Sequence, residues 1–397
     1  MPNEKKSSCV YCGNNPVPHF THWYFETVNI LLTPIRRALF YNRFSRQLGR
    51  VLKRVGLANG LLSLLVFFRL AKFQDDPAKC RVRRAQVLWE EGNKRGIRMR
   101  QLVLLGKPLD CYWAQKREGG KPLVFFGLPR PLVTASDSLD WMDDKRILKV
   151  FFQKHGLPVP KGDSVSSFKQ ASRLFESIAK PVIVKPRAGS RGRHSTTFVF
   201  TLADLKQAFR VAKQLCYWVV AEEQLKGPVY RATLINFELG GVLRGDAPQI
   251  TGNGIDTVRR LVEAKNAASH PGVKDILLDA AASRFLARQG LVFDSVPKPG
   301  ETVALSEKIG VNYGGSSSED YAVCHPANQA LFVKAARLLG DPIVGFDFII
   351  PDISRPWQEQ KCGFIEANSL PFINLHHDPL LGQPRNVAAQ VWAMMQM

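Results

Sequence analysis

Gly345-Phe346-Asp347-Phe348, near the end of the chain, is followed nineteen residues after its aspartate by Glu366-Ala367-Asn368. The apolar runs at 342–350 and 363–366 are predicted to be strands. If these strands lie side by side, Asp347, Glu366 and Asn368 point to one place. Two carboxylates and an amide oxygen are the hard ligands that hold Mg²⁺ beside a nucleotide. The spacing alone equally favours a strand-end aspartate followed by a solvated loop.

A second segment with phosphate-binding character lies further upstream. A short apolar strand ends in Lys185 and is followed by a loop rich in glycine, serine and arginine, 188–195. Glycine lets backbone N–H groups approach phosphate oxygens, and a lysine supplies positive charge. Such loops are also common surface turns, and the spacing is not that of a Walker loop. The loop therefore supports a nucleotide site without establishing it.

These two segments and five others occur in an order that resembles the ATP-grasp ligase superfamily, and within it the ATP-grasp part of cyanophycin synthetase. The resemblance covers roughly residues 139–397. Its seven motifs are Asp144-Lys145 with Lys149, 156–160, Lys185 with its glycine-rich loop, 219–223 with Tyr230-Arg231, 252–266, 312–326 and 366–385.

The resemblance implies an α+β ATP-grasp fold, in which two α/β subdomains clasp ATP, and a carboxylate–amine ligase that works through an acylphosphate. It implies ATP with Mg²⁺, or alternatively Mn²⁺. The implied nucleotide-binding residues are Lys149, Lys185, Gly189, Ser190, Gly192, Glu222 and Glu223. The implied metal ligands are Asp347, Glu366 and Asn368, and the implied catalytic cations are Arg231, Arg244 and Lys308.

The chain departs from the family pattern at several positions. Val229 replaces a usual acidic residue, Asn253 replaces an aspartate, and Lys308 replaces an arginine, so a planar fork becomes a point charge. These changes leave open which small-molecule or peptide carboxylate and amine are joined. A kinase of the same architecture and a nucleotide-binding protein without turnover remain alternatives. A proton-accepting role is considered for three histidines, although a structural role is favoured for each: His325, His376 and His377.

Composition bounds the remaining expectations. The chain has 397 residues and a formal charge of +21, which favours anionic partners. Its seven cysteines are scattered and odd in number, which argues against a disulfide framework and for a reducing compartment. We expect a cytoplasmic protein, and an oligomer is compatible with the sequence. The predicted regions are a basic helical N-terminal region (1–75), a small α/β domain (76–138) and the ATP-grasp domain (139–397). Within the last region the pattern predicts helices over 141–154, 167–178 and 202–214, the last capped by Thr201, and a strand over 231–238.

The N-terminal region has a strong basic bias. Residues 1–58 contain nine Lys/Arg against two Asp/Glu. Apolar residues at three- and four-residue steps predict helices over 25–70, with a boundary or kink at Pro34. A solvated basic face is the favoured interpretation. The alternative is contact with an anionic membrane or another polyanion through Arg36, Arg37, Arg43, Arg46 and Arg50.

Cys9, Cys12, His19 and His22 raise the question of a metal. A C-x₂-C pair and an H-x₂-H pair could complete a tetrahedral zinc site. The two pairs are closer together than in common zinc fingers. Free thiols and exposed histidines are therefore the favoured interpretation.

Overall fold

The computed structural model describes residues 9, 11–12, 16–40, 70–80, 82–131, 139, 141–189, 192–306 and 308–397, without the side chains of 36–40. Within these residues the strands are β1 (Ala71–Gln74), β2 (Ile97–Leu104), β3 (Lys107–Lys116), β4 (Leu123–Phe126), β5 (Gly162–Val165), β6 (Val182–Pro186), β7 (Thr196–Val199), β8 (Val219–Glu223), β9 (Val229–Ile235), β10 (Glu238–Gly245), β11 (Gln249–Thr251), β12 (Thr302–Ala304), β13 (Ser317–Glu319), β14 (Ile343–Ile349), β15 (Gly363–Asn368) and β16 (Leu381–Gly382). The helices are α1 (His19–Phe40), α2 (Arg83–Lys94), α3 (Lys145–Lys154), α4 (Phe168–Ser177), α5 (Leu202–Lys213), α6 (Val258–Ala267), α7 (Ala280–Ala287), α8 (Pro326–Leu339) and α9 (Val387–Met394).

The first sheet is an antiparallel meander in the order β1-β2-β3-β4. Helix α2 packs on it together with the C-terminal helix α9, so the two ends of this core come from distant parts of the chain. Trp392 is fully buried there, and its indole N–H donates to the Leu88 carbonyl at 2.8 Å. Burial of each such aromatic side chain contributes roughly 1.5–3 kcal/mol.

The second sheet has the order β5-β8-β6-β7 and is antiparallel. Val182, Val184 and Ala221 lie on its apolar face and pack on the helices α4 and α5. Because side chains alternate along a strand, the opposite face carries Lys185 and Glu222. The sheet therefore has one face for its core and one face for polar groups.

The third sheet has the order β15-β14-β9-β10-β13-β16. Phe346, Phe348 and Phe364 lie in its buried core with Phe152 of α3 and Phe332 of α8. The alternation of side chains along β14 then places Asp347 on the other face. Strands β11 and β12 form a separate two-stranded sheet.

Several predicted boundaries are corrected by the structure. The helix predicted from Trp141 begins at Lys145, because the Asp144 carboxylate accepts hydrogen bonds from the first helical N–H groups. The strand predicted over 231–238 ends at Ile235, because Asn236 and Phe237 have positive φ and turn the chain into β10.

Helix α1 continues through Pro34, so of the predicted boundary or kink the boundary is wrong. The rest of the predicted helical stretch, with Arg43, Arg46 and Arg50, lies outside the described residues, as do the side chains of Arg36 and Arg37. Among the helices that the structure describes, none is both long enough and apolar enough to cross a bilayer.

Candidate active site

Helix α3 places two buried lysines between the second and third sheets. Lys145 and Lys149 are four residues apart and therefore lie on one face of the helix. The Lys145 ammonium lies 3.5 Å from Glu366 of the third sheet, while Lys149 pairs with Glu222 of the second sheet. Burial opposes the charge on Lys145, but Glu366 outweighs this effect and raises the lysine pKa. One helix thus supplies a cation to each of the two sheets.

Glu222 is held by two lysines. Its carboxylate accepts from Lys149, and its other oxygen lies 2.6 Å from the Lys185 Nζ. Burial acts against ionisation of Glu222, but the charges of Lys185 and Lys149 outweigh it and lower the pKa of Glu222 to about 2. Burial lowers the pKa of Lys185, and the nearby Lys145 and Lys149 add to this effect while Glu222 opposes it. The cluster carries one excess positive charge.

Asp347, Glu366 and Asn368 come together on one face of the third sheet. Asp347 is paired with Glu366 across β14 and β15, and Asn368 follows two residues later on the same face. Asp347 is also paired with Arg231 across β14 and β9, and the guanidinium donates two hydrogen bonds of 2.8 Å to its carboxylate. Each carboxylate in this group therefore has its own cation, Arg231 or Lys145.

These three side chains fit a magnesium ion by their chemistry. All offer oxygen, the donor that Mg²⁺ prefers. The Asn368 amide nitrogen is buried with no hydrogen-bond partner among the described residues, so this donor is available to an acceptor on a ligand. A ligand bound between the two sheets would complete its surroundings.

The remaining predicted nucleotide residues that the structure describes lie in the loop after β6 and at the end of β8. Gly189 and Gly192 belong to the loop between β6 and β7 and both have positive φ, while Ser190 lies outside the described residues. Glu223 ends strand β8, where its carboxylate accepts from the backbone N–H of Lys161 and lies 2.6 Å from the Lys361 Nζ.

Arg231 and Arg244 are not brought together. Arg244 is paired with Tyr230, whereas Arg231 is paired with Leu243, so the two arginines point to opposite faces of the sheet. Arg244 donates to Asp246 at 2.9 Å instead. Lys308 lies over the ring of Tyr313, at 5.2 Å from its centroid.

The three candidate histidines have structural contacts. His376 is fully buried, with one ring nitrogen 2.6 Å from Glu319 and the other 2.7 Å from Thr233. His325 caps helix α8 by accepting from Ala327 N–H, and the ring of His377 accepts from the Ala388 N–H at the start of α9. These contacts agree with the structural role that the sequence favours for each of the three histidines.

A cavity of about 520 Å³ adjoins the glycine-rich loop. Among the described residues, its lining carries four cationic side chains and two acidic ones, so the described lining has a positive charge. The cationic residues are Lys274, Arg284, Arg288 and Lys308, and the acidic residues are Asp275 and Asp279. Tyr11 and Gly192 also line the cavity.

Two site contacts were missed by the sequence analysis. The sequence places Lys145 in a motif but does not predict its contact with Glu366. Its four-residue spacing from Lys149 is the signal that both lysines share one helix face. Arg187, which directly follows β6, donates to both carboxylate oxygens of Asp144. That contact fixes the start of α3 against the second sheet, and the local sequence carries no signal for it.

The Cys9–Cys12 pair meets His194 in place of His22. The structure groups Cys9, Cys12, His19 and His194. His22 lies nearly one helical turn beyond His19 and donates to the Gly189 carbonyl at 3.1 Å. The predicted fourth member of the cluster is therefore wrong, because the helical geometry of α1 directs His22 to the glycine-rich loop.

Comparison with known proteins places this geometry in context. A cyanophycin synthetase of Geminocystis herdmanii is 30% identical over 266 residues, which is 64% of this chain and 30% of the relative. The glutathione biosynthesis bifunctional protein GshAB of Listeria monocytogenes is 30% identical over 320 residues, which is 77% of this chain and 40% of the relative. The crystal structure of a bifunctional glutathione synthetase from Pasteurella multocida matches with a TM-score of 0.53 and 24% identity, over 79% of this chain and 43% of that one. No protein-family model matches the chain.

The chain has the α+β fold of the ATP-grasp ligases, and the fold predicted from its motifs is confirmed. It is a homologue of the ligases named cyanophycin synthetase and GshAB, as the sequence resemblance predicted. Ligases of this class use ATP and Mg²⁺ in general. The chain spans about a third of the length of the curated relatives that it matches.

Proposed function

We propose that the protein is an ATP-dependent carboxylate–amine ligase that forms an amide bond through an acylphosphate. One observation carries the proposal. Asp347, Glu366 and Asn368 share a face of one sheet, and Lys145 connects that face to the Lys149–Glu222–Lys185 cluster of another sheet. An oxygen-rich metal site beside an excess of positive charge suits a nucleoside triphosphate.

The second sheet supplies the nucleotide side of the proposed site. Lys149 and Lys185 would hold phosphate oxygens, because their cluster with Glu222 has one positive charge in excess. The backbone N–H groups of the loop from Gly189 to Gly192 would cover the phosphates. Glu222 and Glu223 close strand β8, where the resemblance places the adenosine end.

The third sheet supplies the metal side. Asp347, Glu366 and Asn368 would hold Mg²⁺, with Mn²⁺ as the alternative. The bound ion would neutralise charge on the β- and γ-phosphoryl oxygens. Arg231 and Lys145 already lie beside these carboxylates and would face the charge that develops on the transferred group.

The proposed reaction has two steps. A carboxylate oxygen of the substrate attacks the γ-phosphorus, and the bond to the ADP oxygen breaks. The amine nitrogen then attacks the acyl carbon, the carbon–oxygen bond to phosphate breaks, and the amine loses a proton. The positive cavity that contains Lys308 supports a small-molecule or peptide carboxylate as substrate. Arg244 stays a candidate near the end of β10.

The proposal for the rest of the molecule is less specific. The division at 75 and 138, cytoplasmic location and oligomerisation remain proposals. So does contact of the basic N-terminal region with an anionic membrane or polyanion. Binding to anionic vesicles that weakens with salt would support this contact, since Coulomb attraction is screened over roughly 8 Å at physiological ionic strength. Equal binding after deletion of residues 1–75 would contradict it.

Product analysis tests the proposed reaction. The protein is incubated with ATP, Mg²⁺ and pools of amino acids and peptides, and ADP release is measured. Hydroxylamine should trap the activated carboxylate as a hydroxamate. Lys185→Ala should lower the rate on the order of 10²-fold or more, whereas Lys169→Ala, on the exposed side of α4, should not change it. AMP with pyrophosphate, or a stable phosphoester with ADP, would contradict the proposal.

A further inference from the structure

We infer that Cys9, Cys12, His19 and His194 form a structural zinc site that ties the N-terminal segment to the glycine-rich loop. The four ligand atoms lie within 4.8 Å of one another. Two thiols and two imidazoles are the donor set of a closed tetrahedral zinc site. Three ligands come from residues 9–19 and the fourth from the end of the loop between β6 and β7. The inference does not depend on the proposed ligase activity.

Three sulfur–nitrogen distances between the ligand atoms agree with one shared ion. The Nε2 atom of His194 lies 3.5 Å from the Cys9 sulfur and 3.4 Å from the Cys12 sulfur, and His19 Nε2 lies 3.3 Å from Cys12. A tetrahedral zinc with bonds of about 2.3 Å to sulfur and 2.0–2.1 Å to nitrogen separates these atoms by about 3.6 Å. The observed spacing therefore leaves room for zinc at the centre.

The tautomer of His194 is set for metal binding. Its Nδ1–H donates to the Val211 carbonyl at 2.8 Å. The Nε2 atom then carries the lone pair, and it faces both cysteine sulfurs. A hydrogen bond from the other ring nitrogen to a backbone carbonyl is the usual support of a zinc-bound histidine.

The backbone also holds the ligands in place. Cys12 N–H donates to Cys9 O at 3.1 Å, which closes the turn between the two thiols. His194 N–H donates to Tyr11 O at 3.1 Å, so the residues flanking the proposed metal are connected directly. His19 begins helix α1, and its ring meets the His194 ring edge-on at 4.7 Å between centroids. The site is therefore assembled by main-chain contacts as well as side chains.

The proposed zinc site would position two functional neighbours. Tyr11, between the two cysteines, forms part of the wall of the positive cavity. Helix α1 runs against the glycine-rich loop so closely that a Cβ on Gly189 would collide with His22 and Glu26. A metal that fixes residues 9–19 would thus hold both the cavity wall and the helix that supports the loop.

Metal analysis of the full-length protein tests the inference. Protein purified without chelator should contain about one zinc per chain. His194→Ala should lower the zinc content at least about tenfold. The matched control is His22→Ala, which should keep its zinc although the sequence pattern places His22 in the site. Cobalt(II) substitution should give the intense visible absorption of a tetrahedral thiolate site.

Three results would overturn the inference. The first is wild-type protein that neither contains zinc nor takes it up, with Cys9 and Cys12 either free or joined in a disulfide. The second is zinc that is lost in His22→Ala and kept in His194→Ala. The third is a cobalt spectrum of octahedral type. If His194→Ala fails to fold, as judged by circular dichroism, Cys9→Ser should reproduce the loss of zinc in folded protein.

Discussion

The two carboxylate clusters on either side of α3 differ in how they are neutralised. In the second sheet, Glu222 alone is shared by Lys149 and Lys185. In the third sheet, Asp347 and Glu366 each have one partner, Arg231 and Lys145. The first cluster has a positive charge in excess, and the second is balanced. The first cluster is therefore suited to bind an anion. The second cluster can bind a cation only if Arg231 and Lys145 move away from its carboxylates.

The same difference predicts how each cluster tolerates the loss of a residue. Removal of Lys185 leaves Glu222 paired with Lys149. Removal of Arg231 leaves the buried Asp347 carboxylate without its bidentate partner. A buried charge without a partner is strongly destabilising, because it has lost both water and its counter-ion.

The largest expected effect comes from Glu366→Ala. This change removes a proposed metal ligand and leaves Lys145 without its carboxylate. We expect the rate of ADP formation to fall on the order of 10³-fold in protein that circular dichroism shows to be folded, although the unpaired Lys145 lowers its stability. The control is Glu359→Ala, because Glu359 forms an exposed ion pair with Arg355 on the surface. Normal turnover by Glu366→Ala would show that the Glu366 carboxylate is not part of the active site.

Arg231→Ala should be destabilising by about 3–5 kcal/mol, because Asp347 loses its bidentate partner. Lys185→Ala should be less destabilising, because Lys149 remains on Glu222. Urea unfolding of both variants measures the difference. If Asp347 is a metal ligand, Mg²⁺ should restore part of the stability of Arg231→Ala and little of that of Lys185→Ala. Equal losses in both variants, with no effect of Mg²⁺, would contradict the comparison.

The pH dependence of the unfolding free energy should reflect the lowered pKa of Glu222. The folded-state pKa of Glu222 is about 2, below its ordinary value of 4.5. A carboxyl group with a lowered pKa stabilises the fold above its unfolded-state pKa, and this contribution is lost as pH falls through the folded value. The unfolding free energy should therefore decline between about pH 4.5 and pH 2, by at most about 1.4 kcal/mol per unit for this group.

Glu222→Gln should remove that part of the slope. The measurement is the unfolding free energy of wild type and variant across this pH range. The exposed control Glu359→Gln should keep the wild-type slope. A Glu222→Gln variant with the same slope as wild type would show that Glu222 ionises normally in the folded protein.

Arg244→Ala should have the smallest effect. Its ion pair with Asp246 is partly exposed, with 38% of the Arg244 side chain accessible. Such a pair contributes about 0–1 kcal/mol. Urea unfolding should therefore separate this variant clearly from Arg231→Ala, although both arginines lie in the same sheet. A loss as large as that of Arg231→Ala would mean that Arg244 is part of a buried network.

The strands and their polar faces were predictable where the local pattern is strong. An apolar run interrupted only by Asp347 allows one orientation in a half-buried strand, because the alternation of side chains sets which groups share a face. The pairing with Glu366 follows once the two strands are neighbours. Helices α4 and α5 were likewise predicted within one residue at each end, and the cap predicted at Thr201 is part of a capping box with Asp204.

The contacts between distant segments were not predictable from local pattern. His22 was predicted as the fourth ligand because it lies in the same short segment as the cysteines, and sequence proximity carries no information about the loop that folds onto them. The pairing of Arg187 with Asp144 was not predicted for the same reason, because it also joins two segments that are distant in the sequence. Both contacts depend on how α1, α3 and the second sheet pack, which no single segment encodes.

The contact between Cys12 and His194 spans 182 residues, and it has a consequence for biosynthesis. At roughly 5–20 residues per second, the ribosome needs about 10–40 s to pass from one to the other. For most of that interval, Cys9, Cys12 and α1 have been translated without the loop that they finally contact. This part of the chain is translated before the loop that it contacts, so it can complete its contacts only after that loop has been translated.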